Sequence, residues 1–164
     1  MSRRALPFLV IAAAFGATRC SGNSGGSPAS PSALGTGVPQ GGATATVQVS
    51  VNPNPVPFSG APITDAPECA NYAFTWFYDT VLTETGGGNV TFSTRDDLFD
   101  GKVANNIQGL KIVLGPHDTV VLHTRWCSGA STAHSAQSNF GGVDGGGNAV
   151  TAQGQVAQLS GLGK

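Results

Sequence analysis

The sequence predicts an all-β fold, a sandwich of two antiparallel sheets with about seven strands. Three observations predict it. Val, Thr and aromatic residues recur in short runs that are separated by Gly, Pro, Asn and Asp. Lys, Glu and Leu, which favour helices, are scarce. Turn sequences also follow one another at intervals of about ten residues, as they do in sandwich folds.

Residues 1–19 are predicted to be a signal peptide. The chain starts with a short basic segment, and residues 5–17 are apolar and uncharged. An apolar segment of this length is too short to span a bilayer as a helix, and it is typical of a secretory signal. We therefore expect the protein to be exported, either to the cell envelope or as a secreted protein.

Cys20 directly follows this segment. Here the leader resembles that of a bacterial lipoprotein, in which such a cysteine is lipidated and becomes the mature N-terminus. The resemblance implies that Cys20 anchors the chain to a membrane, in the periplasm or at the surface. Arg19 replaces the small residue that usually precedes the cysteine, so cleavage after Gly16 or Ala17 is the alternative. Lipidation would account for the odd one of three cysteines.

Residues 20–42 are predicted to be a flexible linker. They are rich in Gly, Ser and Pro and contain no charged or aromatic residue. A segment with so little apolar surface does not offset the entropy cost of ordering its backbone. The folded domain is therefore predicted to comprise residues 43–164.

The domain is predicted to begin with a half-buried strand. Residues 44–51 alternate Val with polar residues, which is the pattern of such a strand. Residues 52–58 contain three prolines, so we expect a turn and an edge segment there. Residues 59–71 are predicted to be a long loop.

Residues 72–85 are predicted to form a central strand, because both of its faces carry apolar residues. Phe77 and Val81 lie on one face. The other face carries Phe74, Trp76, Tyr78 and Leu82. Three glycines at 86–88 predict a turn, and a return strand follows through Val90 and Phe92.

The second half of the domain is predicted to contain hairpins. We expect a connection at residues 95–102, with a turn at Asp100-Gly101. Alternating apolar residues predict strands at 110–114 and 120–126, with a turn between them.

The end of the chain is predicted to be a long hairpin. A polar loop is expected at residues 128–132. After it, residues 134–143 are predicted to pair with residues 148–159 across a turn that contains Asp144 and three glycines.

Three segments carry a resemblance to bacterial immunoglobulin-like modules of secreted lipoproteins, nearest to the CARDB-like type. They are the T-V-L-T-E-T-G-G-G-N-V-T-F hairpin at 80–92, L-G-P-H-D-T-V-V-L at 114–122 and D-G-G-G-N at 144–148. The resemblance covers residues 44–159. It implies an immunoglobulin-like sandwich with a binding or spacing role.

Cys69 and Cys127 are predicted to form a disulfide, because paired cysteines of exported proteins usually oxidise. We expect Cys69 to lie in a loop, which the bond would fix to the end of the strand at 120–126. In the chain-entropy model such a bond stabilises the fold by roughly 4 kcal/mol.

No metal site and no cofactor are predicted. Asp96, Asp97 and Asp100 cluster before Gly101, but they lack the ligand spacing of an EF-hand loop, and Asp is common in turns. We therefore interpret them as turn-forming residues.

The three histidines, His117, His123 and His134, also lack the spacing of a metal site. We expect His117 in a turn and His123 exposed to solvent, while a spatial cluster of His123 and His134 stays open. No G-x-S-x-G nucleophile motif is present, so the protein is not predicted to be an enzyme.

Charge argues against a nucleic-acid partner. Residues 43–164 contain five Lys and Arg residues against nine Asp and Glu residues, a net charge of −4, and no basic cluster. Four aromatic residues, Trp76, Phe77, Tyr78 and Trp126, suggest an exposed ligand patch, but we expect them in the core or flanking it.

Two functions follow as expectations. The first is an exported, lipid-anchored, non-catalytic module with a binding or structural role at the cell envelope, where its partner is an unknown protein or glycan. The alternative is a small protease-inhibitor-like or chaperone-like domain. That domain would act through the loops at 59–71, 95–102 and 128–132.

Overall fold

The computed structural model describes residues 44–162, which form two antiparallel sheets that pack face to face. The predicted signal peptide, linker and Cys20 lie outside these residues. The strands are β1 Val47–Asn52, β2 Phe74–Glu84, β3 Val90–Phe99, β4 Lys102–Leu114, β5 Thr119–Ser128, β6 His134–Asp144, β7 Ala149–Gln153 and β8 Ala157–Leu159. The predicted all-β sandwich is confirmed, with eight strands rather than seven. No helix among residues 44–162 is long and apolar enough to cross a membrane.

Sheet A contains three strands in the order β1-β2-β5. β2 is its central strand, as the apolar residues on both of its faces predicted. Trp76, Tyr78 and Leu82 face inward and are buried, whereas Phe77 on the opposite face is 39% exposed. The inward face of this sheet therefore supplies Trp76, the largest fully buried side chain of the core.

Sheet B contains five strands. Four of them lie in the order β4-β3-β6-β7, and the fifth, β8, pairs with the first residues of β6. The predicted second strand of the terminal hairpin is wrong as one continuous strand, because it breaks after Gln153. A side chain at Gly154 would clash with the main-chain oxygen of Ser138. Gln155 then donates its N–H to the oxygen of Val49 in sheet A, so the chain leaves the ladder before β8 begins.

The predicted connection at residues 95–102 is also wrong. β3 continues to Phe99 and β4 begins at Lys102, so only the turn at Asp100-Gly101 separates them. Both turn residues have positive φ, 49° and 73°, as the predicted turn requires. A bulge after Phe92 shifts the register, and Arg95 and Asp97 face inward beyond it. Because charged residues face inward here, this part of the strand lacks the alternating apolar residues from which a strand is predicted.

Two apolar clusters form the core between the sheets. One is centred on Leu82, Phe92 and Leu114, and the other on Trp76 and Leu159. All five side chains are at most 1% exposed. Burying a side chain of this size contributes about 1.5–3 kcal/mol, so these residues dominate the stability of the sandwich.

Glu84 holds together the end of the sandwich at which β2 ends. Its side chain is 1% exposed, and its carboxylate accepts five main-chain N–H groups. The donors are Thr46, Gly86, Gly87, Gly88 and His117. Four of these hydrogen bonds, that of His117 first and then those of Thr46, Gly87 and Gly86, lower the pKa of Glu84 to about 2. One carboxylate therefore connects the start of the domain, the β2–β3 turn and the β4–β5 turn.

Candidate functional site

A disulfide joins Cys69 to Cys127, the pair that the sequence predicts. The two residues are 58 positions apart, and their Cα atoms lie 5.7 Å apart. Cys69 packs with Ile63 and Ala66 of the same loop in a small apolar cluster, against which Cys127 packs. This loop, residues 59–71, is therefore fixed to the end of β5.

An ion pair fixes the same loop at a second point. The guanidinium of Arg125 on β5 donates to both carboxylate oxygens of Asp65, at 2.6 and 2.8 Å. The hydrogen bond from Arg125 is the main reason why the pKa of Asp65 is lowered. The loop is therefore held beside the last residues of β5 at two points.

The other two predicted contact segments meet near this loop through His134. Its Nδ1 lies 2.8 Å from a carboxylate oxygen of Asp100, in the β3–β4 turn. Its Nε2 lies 3.2 Å from the hydroxyl of Ser128, at the start of the loop after β5. The three segments of the alternative function therefore gather at one end of the sandwich.

Ser128, His134 and Asp100 are hydrogen-bonded in the order that serine hydrolases use. The pKa of Asp100 is lowered, first by the N–H of Ser135 and then by His134, so this carboxylate is an anion that accepts a hydrogen bond from Nδ1–H of His134. Ala130 donates its N–H to the Ser128 hydroxyl oxygen, which leaves the hydroxyl proton to be donated to Nε2. Sequence reasoning missed this arrangement.

The surroundings of His134 indicate a structural role for it. The side chain is only 10% exposed. Its ring lies 4.8 Å from that of Phe99 and 5.6 Å, edge to face, from that of Trp76. A ring held between two core aromatic residues is well suited to tie the β3–β4 turn to the β5–β6 loop.

The histidine cluster that the sequence left open does not form. His123 lies on β5 in sheet A and His134 on β6 in sheet B, and each contacts a different aspartate. His117 lies in the β4–β5 turn with φ 62°, as expected. Across residues 44–162, no group of three His, Cys, Asp or Glu side chains suits a metal ion.

The three clustered aspartates also point in different directions. Asp96 faces outward and accepts a hydrogen bond from Asn106 on β4. Asp97 faces the interior and is 3% exposed, while Asp100 belongs to the turn. Their interpretation as turn residues holds only for Asp100, because the other two lie within β3.

The main concave feature near the disulfide is a notch between the two sheets. Among the described residues sheet A ends at β5, whereas sheet B continues from β3 to β4. The first part of β4, residues 102–109, is exposed on both faces apart from the partly buried Ile107, so sheet A does not cover it. The notch measures about 440 Å³. It is lined by Glu68, Cys69, Tyr72, Arg95, Asp97, Ala104, Asn105, His123, Thr124, Arg125, Trp126 and Cys127.

A polar network forms the floor of the notch. Arg95 donates to Asp97 from two of its nitrogens, at 2.9 and 3.1 Å, and Ser138 donates to the other oxygen of Asp97 at 2.6 Å. The Arg95 side chain is 24% exposed, whereas that of Asp97 is 5% exposed. The carboxylate is thus enclosed, and the guanidinium is the charged group that solvent reaches.

Trp126 lines the inner side of the notch, and two further aromatic residues pack against it. Trp126 packs against Phe99 at 5.1 Å and donates its indole N–H to the hydroxyl of Tyr78 at 3.1 Å. Burial raises the pKa of Tyr78 to about 12, so this hydroxyl stays protonated. Trp76 and Tyr78 are core residues, as expected, while Trp126 is half-buried at the notch.

A second hollow, of about 620 Å³, lies on the outer face of sheet A and shares His123 and Arg125 with the notch. His123, which is exposed as predicted, lies 2.6 Å from a carboxylate oxygen of Asp79. The half-exposed ring of Phe77 completes this surface. β5 therefore has a concave, polar surface on each side.

Sequence reasoning missed the notch because its residues come from four separate parts of the chain. Arg95 and Arg125 are 30 positions apart, and no local pattern relates them. A signal was present in β4, whose polar residues at 102–109 lack the alternation that a covered strand shows. That signal indicates an uncovered strand only once the strand order is known.

Comparisons with known proteins identify the fold. No protein-family model matches the chain, and no curated protein matches it in sequence. The chain is similar in structure to a protein described as ApaA from Bordetella pertussis, with 14% identity, a TM-score of 0.53 and coverage of 73% of this chain and 97% of that one. It is also similar to the structural-genomics target SoR45, with 12% identity, a TM-score of 0.55 and coverage of 71% and 87%.

A third similar structure is the CARDB domain of a Pyrococcus furiosus protein, in complex with di-metal ions. It has 14% identity and a TM-score of 0.45, and it covers 71% of this chain and 94% of that one. A CARDB domain, the type named in the sequence resemblance, is therefore among the structures to which this chain is similar. At these identities the likeness concerns the fold alone.

Proposed function

We propose that this chain is an exported, lipid-anchored immunoglobulin-like module with a non-catalytic binding role at the bacterial cell envelope. The observation that supports the proposal is the notch, which presents guanidinium, indole and phenol groups on a rigid sandwich, next to loops that gather at one end. Binding residues are commonly carried in this way by a rigid scaffold. A protein or glycan of the envelope is the partner that we expect.

The anchor rests on the sequence alone. Cys20 follows a signal-like leader, and the linker at 20–42 would separate the folded domain from a membrane surface by roughly 25 Å. Mass spectrometry of the mature protein from its native host tests this part. A diacylglyceryl mass on Cys20 is expected, and a mature N-terminus at Ala17 or Thr18 would exclude the anchor.

Site-specific photocrosslinking in the native host tests the binding role. A benzophenone amino acid replaces Tyr72, which lines the notch and is 46% exposed. The matched control carries it at Val143, which is also 46% exposed but lies on the outer face of sheet B. Benzophenone reacts with C–H bonds, so protein and glycan partners are both captured.

We expect a covalent adduct from position 72 and none from position 143. An adduct of equal yield at both positions would mean non-specific proximity. No adduct at position 72 in intact cells would refute the notch as a binding site.

A second candidate function is supported by the gathering of loops 59–71 and 128–132 with the turn at Asp100-Gly101. In this case the module inhibits a protease or holds a client through these loops. A panel of proteases assayed with micromolar protein separates the two functions. Lack of inhibition, together with an adduct at Tyr72, favours the binding module.

A further inference from the structure

We propose that the notch binds an extended, acidic peptide segment of a partner protein. This segment pairs through its main chain with β5 and so becomes the fourth strand of sheet A. The inference rests on the proposed binding function and specifies the class of partner.

The hydrogen bonds of β2 determine which main-chain groups of β5 point outward. Glu84 donates its N–H to the oxygen of Asp118, directly before β5, whereas the oxygen of Thr75 accepts the N–H of Ser59 on the opposite side of β2. Successive residues of a strand alternate in direction. The main-chain N–H and C=O groups of even-numbered β2 residues therefore bond to β5, and those of odd-numbered residues point to the opposite side.

The register transfers this alternation to β5. Thr75 lies opposite Cys127, and Asp79 lies opposite His123. Odd-numbered residues of β5 thus form the non-hydrogen-bonded pairs with β2. Val121, His123 and Arg125 direct their N–H and C=O groups to the side where, among residues 44–162, sheet A has no further strand.

The part of β4 that sheet A does not cover, residues 102–109, would pack against an added strand. A strand paired with β5 lies about 4.8 Å from it, in the position opposite β4. There it covers the inward-facing side chains of Asn105 and Ile107, which lie opposite Asp97 and Arg95 in the ladder. Completing sheet A in this way leaves each strand of sheet B opposite a covering strand.

The accessible charge of the notch favours acidic side chains in the partner. Arg95 contacts Asp97 through Nε and Nη2, and Arg125 contacts Asp65 through Nη1. Each guanidinium has five N–H donors, so both retain donors for another carboxylate. Asp97 is too enclosed to repel one, so Arg95 is the charge that a partner carboxylate meets, while Glu68 and the 67%-exposed Asp65 stay accessible near Arg125.

A phage-displayed library of random heptapeptides, selected on the full chain, supplies the probe. We expect the selected peptides to carry Asp or Glu and to lack Lys and Arg. Two substitutions at one position then test main-chain pairing. His123→Pro removes the outward N–H and keeps the ladder with β2, because proline is tolerated at a sheet edge, whereas His123→Ala keeps the N–H.

His123→Ala removes the imidazole, which lines the notch, and keeps the N–H, so it is the reference from which the effect of proline is measured. His123→Pro should weaken binding by roughly tenfold or more, the effect of leaving one hydrogen-bonding group of a complex unpaired. Equal affinity of the two variants would overturn main-chain pairing.

Amide exchange of the wild-type complex gives a readout that does not depend on how His123→Pro folds. We expect the peptide to slow exchange at Val121, His123 and Arg125, while Leu122 and Thr124, already bonded to β2, are slow with or without it. Uniform protection, or none, overturns the proposal. So does self-association through β5 without peptide, which would make a second copy the occupant.

The two levels of the proposal fail in different ways. A crosslink from position 72, without slowed amide exchange at Val121, His123 and Arg125, would support the binding role and exclude strand addition. Recovery of no binding peptide also excludes strand addition, whereas absence of the crosslink excludes the binding role itself.

Discussion

The disulfide is predicted to supply a large part of the stability of this domain. In the double variant Cys69→Ala/Cys127→Ala, the unfolded chain is no longer closed over 58 residues. The chain-entropy relation for a loop of that length gives a loss of about 4 kcal/mol at 25 °C. Domains of this size are stable by about 5–15 kcal/mol, so the variant should be marginal.

Urea denaturation, monitored by tryptophan fluorescence, measures this loss. With a slope of about 2 kcal/mol per molar, the midpoint should fall by about 2 M urea. Wild-type protein with dithiothreitol serves as the matched control and should unfold at the same urea concentration as the variant. Trp126 neighbours Cys127, so native-like fluorescence of the variant before the transition shows that the fold is retained.

A loss below about 1 kcal/mol would refute this reasoning. It would mean that the unfolded chain is already compact across the loop, or that the bond strains the native state by as much as it restricts the unfolded chain. Equal midpoints for reduced and oxidised wild type would show the same without any substitution.

Three further predictions concern the core, the buried carboxylate of Glu84, and the hydrogen-bonded side chains of Ser128 and His134. Phe92→Ala should lower the free energy of unfolding by about 3–5 kcal/mol, and Phe77→Ala on the outer face by less than half of that, in the same urea assay. Because the pKa of Glu84 falls from 4.5 to about 2 on folding, its contribution is complete above pH 4.5 and is lost as the pH falls to 2. Glu84→Gln should therefore be less stable at pH 7 and lose less stability than wild type between pH 4.5 and 2; parallel curves in that range would contradict the assignment. A fluorophosphonate probe should leave Ser128 unlabelled, and labelling that disappears in His134→Ala would show an active serine hydrolase instead.

The sequence predicted those parts of the fold in which side chains alternate regularly. β2 was identified as a central strand from its two apolar faces, and the turn at Asp100-Gly101 from its residue types. Both are local properties, since they depend on residues that are neighbours in the chain. The pairing of Cys69 with Cys127 followed from the expectation of an oxidising compartment and from the assignment of Cys20 to the leader.

The missed second half of β3 lies where a polar residue is buried by a partner far away in the sequence. Asp97 and Ser138 are 41 positions apart, and their hydrogen bond makes an inward-facing carboxylate stable in β3. Glu84 was unremarkable in sequence, because its partners are main-chain N–H groups, which no residue type reveals. The notch is a property of strand order, which leaves one sheet wider than the other.

Amide exchange of the free, full-length protein tests most directly whether sheet A is open at β5. The structure predicts slow exchange at Leu122 and Thr124 and fast exchange, comparable to that of loops, at Val121, His123 and Arg125. Slow exchange at all five amides would mean that another segment already covers this edge, and the notch would then not be a free binding surface.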